Sequence, residues 1–74
     1  MAWRELKSSN IAAVEVTPER DGATATLQVR FNGGREYSYG SVPMELCNRL
    51  LTADSPGSFF SEHIRGKFAS RRDV

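Results

Sequence analysis

A chain of 74 residues and 8.2 kDa has room for one small hydrophobic core, which predicts a single domain over its length. Its composition, 39% hydrophobic and 26% charged with four Phe, two Tyr and one Trp, excludes a disordered or collagen-like polypeptide. No apolar run approaches the roughly 20 residues that cross a bilayer. Ten Lys and Arg against nine Asp and Glu leave a net charge of +1, so the chain lacks the overall positive field of an ordinary nucleic-acid binder.

In chain order, Met1 to Glu5 carries no signal-peptide core, which predicts a cytoplasmic protein, and Met1 to Lys7 reads as a flexible end. Ser8-Ser9-Asn10 is turn-like, and Ile11 to Val16 predicts a first strand with Ala12, Val14 and Val16 on one face. Pro18 and Asp21-Gly22 close it. Ala25, Leu27, Val29 and Phe31 alternate with Thr26, Gln28 and Arg30, the period-two signature of a strand with one buried face. Asn32-Gly33-Gly34 supplies the positive φ angles of a hairpin, so Arg35 to Tyr39 should return antiparallel.

In that third strand Tyr37 and Tyr39 must share one face while Ser38 points away. Ser41 is a candidate cap and Pro43 a first-turn residue for a helix whose apolar stripe is Leu46, Cys47, Leu50 and Leu51. Asp54-Ser55-Pro56-Gly57 breaks that helix. Ser58 can cap a short second one carrying Phe59, Phe60 and Ile64 and ending at Gly66. Ala69 to Val74 has no periodicity and reads as a flexible tail. The expected fold is α+β: a three-stranded antiparallel meander packed against one or two C-terminal helices, in a single domain with its core over about residues 8–70.

Ser8 to Ile11, Val29-Arg30-Phe31, the arm Gly34 to Tyr39, Val42-Pro43, Ser55 to Phe60 and Ile64 to Phe68 together resemble the KTSC domain. That module is named for the C-terminus of certain lysyl-tRNA synthetases and occurs in bacterial and phage proteins with a central Tyr-x-Tyr. The resemblance covers about residues 8 to 70 and departs in Val14-Glu15-Val16, where a more aromatic or glycine-containing strand is usual. It implies RNA binding by association with the synthetase, or action on host transcription as in similar phage-encoded proteins.

Catalysis needs a nucleophile with a base, a carboxylate pair or a phosphate loop. Cys47 and His63 are the only thiol and imidazole. Cys47 lies on a helical apolar stripe, where a thiol behaves as an inert hydrophobe, and nothing at suitable spacing orients His63 as a base. One thiol and one imidazole complete neither an internal disulfide nor a zinc site, and Asn32-Gly33-Gly34 leads into a strand rather than a helix. The reading is a non-enzymatic protein without cofactor, metal or small-molecule substrate.

Binding has more support. Tyr37 and Tyr39 could stack bases, with Arg35 on the same face meeting phosphate; alternatively the rings bury against Leu46 and Leu50 as core. Arg65, Lys67, Arg71 and Arg72 around Phe68, joined by Arg4 and Lys7 near Trp3, form a second candidate surface or a solvated tail. Near-zero net charge favours docking on a protein of the transcription machinery such as RNA polymerase, as a monomeric phage-type regulator would. RNA binding through Tyr37, Tyr39 and the basic C-terminus is the alternative.

Overall fold

Alternation in residues 24–31 makes the central strand of the molecule, and the chain builds outward from it. The computed structural model describes residues 3–74. In it β1 (Arg4–Glu5), β2 (Ile11–Pro18), β3 (Thr24–Phe31) and β4 (Glu36–Pro43) precede α1 (Met44–Thr52), α2 (Pro56–His63) and β5 (Ser70–Arg72). The sheet is antiparallel throughout, in the order β1-β2-β3-β4-β5.

The α+β class holds, but the expected meander of three strands is the middle of a sheet of five. The segment expected as a flexible tail is β5, placed with Tyr37, Ser38 and Tyr39 opposite Arg72, Arg71 and Ser70. Its ladder extends through Gly40 N–H to Ala69 O at 3.0 Å and Asp73 N–H to Glu36 O at 2.8 Å. The physical reason is the free edge of β4, whose unpaired amides and carbonyls are satisfied by a returning strand whatever its side chains. Likewise Arg4 and Glu5 pair with Val14 and Ala13, while Met1 and Ala2 lie outside the described residues.

Two β-bulges set which side chains reach the core. Between Ile11 and Ala13, β2 advances two residues while β3 advances one, so Ile11 and Val14 both face inward. This corrects the expected face: Val14 and Val16 belong to it, but Ile11 replaces Ala12. Between Ala25 and Leu27, β4 holds the extra residue, and the bulge turns both Tyr39 and Val42 inward. Ser41 lies in that bulge at φ 54, in the left-handed region, rather than capping a helix. The Glu19 carboxylate holds it there, accepting from Ser41 N–H at 3.0 Å and from the hydroxyls of Thr24 and Thr26 at 2.7 and 3.1 Å.

α1 therefore starts at Met44, with Pro43 in the cap position and Met44 N–H donating to Ala23 O at 2.9 Å. Its Cys47 and Leu50 are buried, and the helix packs on β3 and β4. α2 starts at Pro56 with Ser55 as its cap residue, not at Ser58, since proline fits a first turn that has no amide partner to lose. Phe60 from α2 and Ile64 just beyond it complete a core with Ile11, Val14, Leu27, Val29 and Tyr39 on one face of the sheet.

Candidate functional site

Register decides the fate of the tyrosines. Tyr37 opposes Val29 and Tyr39 opposes Leu27, so both rings project to the helix-covered face, stacked on each other with centroids 6.5 Å apart. The two then part company. Tyr39 is only 6% exposed and meets Phe60 edge-to-face at 5.3 Å, whereas Tyr37 is half-buried beside Phe31 at 6.0 Å. The covering residue is Phe60 of α2, a contact not anticipated from Leu46 and Leu50. One tyrosine is core and its neighbour is wall.

That wall bounds a hollow of about 390 Å³ between the end of the β3–β4 hairpin and the turn after α2. Phe31, Tyr37, Tyr39 and Phe60 form its aromatic lining, and Arg35, Arg65, Asn10 and Ser70 bring the polar groups. Gly33 and Gly34, at φ 102 and 97, make the three-residue reversal that delivers Arg35 to the rim. Gly66, at φ 75, turns the chain beside Arg65. Among the described residues no carboxylate lines the hollow, and neither Arg35 nor Arg65 lies within ion-pair distance of an acid. Burial pushes the Tyr39 phenol above its ordinary value; Tyr37 adds to the rise and Arg65 opposes it, so Tyr39 serves as a neutral hydroxyl.

Four of the sequence-selected residues, Arg35, Tyr37, Tyr39 and Arg65, line the hollow together, the last from a different segment than the first three. Arg72 opposes Tyr37 in the ladder and shares its face, with its Nε donating to Val74 O at 3.2 Å. Arg71 opposes Ser38 on the outer face, where its Nε pairs with Asp73 at 3.0 Å and Asp73 also accepts from the Ser38 hydroxyl. Those bonds hold the Asp73 carboxyl below its usual range. Phe68 is half-buried against the core, and Lys67 is exposed. The basic segment is thus divided between two faces by strand alternation.

The N-terminal group is divided too. The Trp3 ring carries the Arg30 guanidinium at 4.2 Å on the outer face, and Arg30 Nε pairs with Glu36 at 2.9 Å. Arg4 is exposed in register with Val14, and Lys7 lines a separate polar depression with Ser8, Ser9 and the start of α2. Asn10, Phe31, Phe60 and Ser70 were missed as lining residues. Phe31 was legible as the inward end of β3, but Phe60 and Ser70 depend on where α2 and β5 return and Asn10 on the turn ahead of β2, none of which a local period encodes.

Cys47 is fully buried, which raises its thiol pKa above the ordinary value. His63 lies against Phe59 at 4.5 Å. Among the described residues no group of three or more His, Cys, Asp or Glu side chains could hold a metal, and no helix is long and apolar enough to cross a membrane.

Comparison with known proteins places this arrangement in context. The model of the KTSC domain matches residues 7–68. The chain is 40% identical over 63 residues to a protein of Tsukamurella paurometabola, covering 85% of this chain and 88% of that one. It is 38% identical over 48 residues to a lysine–tRNA ligase of Trichormus variabilis, covering 65% of this chain but only 9% of the ligase. The crystal structure of a KTSC domain protein from Yersinia pestis superposes with a TM-score of 0.82 at 28% identity, covering 99% of this chain and 97% of that one.

Proposed function

The chain belongs to the KTSC domain family, and from that membership we propose that it is a non-enzymatic binding module of the gene-expression machinery that engages single-stranded RNA. The observation that carries this reading is the hollow in which Tyr37 stands beside Arg35 and Arg65, with no carboxylate in its lining and no ion pair to either arginine among the described residues. Single-stranded nucleic acid is held by aromatic faces for bases and cations for phosphates, and stacking on such rings is tolerant of sequence. A duplex would not present an unstacked base to so small a recess. The likeness to a segment of a lysine–tRNA ligase supports the same direction, since that relative's name ties it to tRNA.

A second reading has its own observation. The outer face presents Trp3 with Arg30 on its ring, an aromatic and arginine pair of the kind that anchors protein interfaces, and it lies away from the hollow. Docking through that face on a protein such as RNA polymerase, in the manner of a small phage regulator, fits a chain of net charge +1.

Fluorescence anisotropy with a labelled single-stranded RNA, repeated across salt concentrations, separates the two. For RNA binding through Arg35, Arg65 and Arg72 we expect tighter association with the single strand than with a duplex. The slope of log K against log salt should be about −2 for three phosphates on a single strand. Absence of binding at low salt, together with capture of the same protein partner from nuclease-treated and untreated lysate, would remove the RNA reading in favour of docking.

A further inference from the structure

How much of a strand the hollow can take is set by its size and its charge. Resting on that reading and deepening it, we propose that the hollow is a seat for one nucleoside phosphate unit, with its base against Tyr37 and its phosphate drawn between Arg35 and Arg65.

The shape and the charge each limit the occupant. A volume of about 390 Å³ falls within the range of about 300–1,000 Å³ typical of small-ligand sites. It is too small for a stretch of polymer backbone with several bases. The lining is aromatic on one side, from Phe31, Tyr37 and Tyr39 over the buried Phe60. A purely inorganic anion would leave that surface unused, and a purely apolar ligand would leave the two guanidiniums unneutralised. The occupant must carry a flat apolar body and an anionic group.

Arg35 and Arg65 approach from independent elements, the β3–β4 hairpin and the turn after α2, and both are exposed and free of carboxylate partners among the described residues. The planar, multiply donating guanidinium matches phosphate geometry better than a point charge does. Asn10 and Ser70 supply an amide and a hydroxyl for the edge of a base or for ribose, and Tyr39 presents a neutral phenol whose ionisation is suppressed by burial. Arg72, in register with Tyr37, adds a further cation on the same face outside the lining of the hollow.

The test is a titration of the isotope-labelled protein with adenosine 5′-monophosphate, adenosine and inorganic phosphate, read on backbone amide resonances. Adenosine monophosphate should shift the amides of Tyr37, Gly66 and Ser70 saturably, with adenosine and phosphate each at least about tenfold weaker, because each offers half of the recognised chemistry. Arg65→Gln and Arg35→Gln should each weaken the nucleotide by about tenfold, the effect of one lost charge-assisted hydrogen bond. Both side chains are exposed, so the variants should unfold at the parent temperature, and a matching thermal midpoint verifies that the loss is local. A 5′-phosphorylated RNA oligomer that shifts the same amides more tightly than the free nucleotide assigns the seat to a strand end; equal affinity assigns it to a free mononucleotide.

Phosphate alone reproducing the shifts at equal concentration would overturn the proposal, as would the absence of any saturable shift. Should the RNA bind while these amides stay still, the seat is refuted and the RNA reading survives on another surface. Should the mononucleotide bind and RNA fail, the seat stands and the RNA reading falls.

Discussion

Phe60 meets Phe31 at 5.5 Å and Tyr39 at 5.3 Å, both edge-to-face, and is 1% exposed. Truncating it would remove one ring from two aromatic pairs and leave a void at the base of the hollow. Phe60→Ala should therefore lower stability by about 3–5 kcal/mol, much of the total for so small a domain, measurable by chemical denaturation. Tyr37→Ala should cost markedly less, since that ring is only partly buried, and should remain folded while losing ligand. Cys47 belongs to the same core, so its thiol should react with a disulfide reagent only as fast as the protein opens, and rapidly in denaturant. At this scale the sequence was informative about direction but silent about depth. Alternation made Tyr37 and Tyr39 neighbours on one face, yet what separates core from wall is the position of Phe60, and α2 is a distant segment.

At the scale of elements, the strongly periodic β3 and the apolar stripe of α1 were legible because their patterns repeat long enough to be read. β1 and β5 were not, because two or three residues carry no period and β5 has no buried side chain. Its stability comes from backbone hydrogen bonds at an edge, and amides of residues 70–72 should exchange with deuterium before those of β3, which should follow global unfolding. Ser41 reads as a helix cap from sequence but occupies a bulge, since a small polar side chain shortly before a proline suits either place. Hydrogen bonds from Thr24 and Ser41 hold the Glu19 carboxyl below its ordinary value, and bonds from Thr24 and Ala23 do the same for Asp21. A group whose folded value is depressed binds its proton more readily in the unfolded chain, so its contribution is complete above the ordinary carboxylate range and disappears as the pH falls through the folded value. Denaturation midpoints should be level from pH 7 to about 5 and fall below about pH 4. Glu19→Gln should be destabilised at neutral pH and converge with the parent in acid.

For the whole molecule, the C-terminal charges looked like one basic patch in sequence and are distributed over two faces in space. Arg72 shares the face of Tyr37, whereas Arg71 is tied to Asp73 on the opposite side. Arg71→Gln and Arg72→Gln change the net charge equally, so a protein governed only by total charge would respond identically to both. We expect RNA affinity to fall for Arg72→Gln and to hold for Arg71→Gln in the same anisotropy titration. Composition could not have foreseen this, since the division follows from β5 being a strand at all.

The strand order has a further consequence. β1 and β5 occupy opposite margins of the sheet, four strand spacings or about 19 Å apart. Polypeptide joined ahead of β1 and polypeptide joined beyond β5 would leave from opposite flanks. Placing this unit inside a loop of another protein would force that loop to gape by the width of the sheet, whereas attachment through one flank asks nothing of the host. The architecture is suited to being appended.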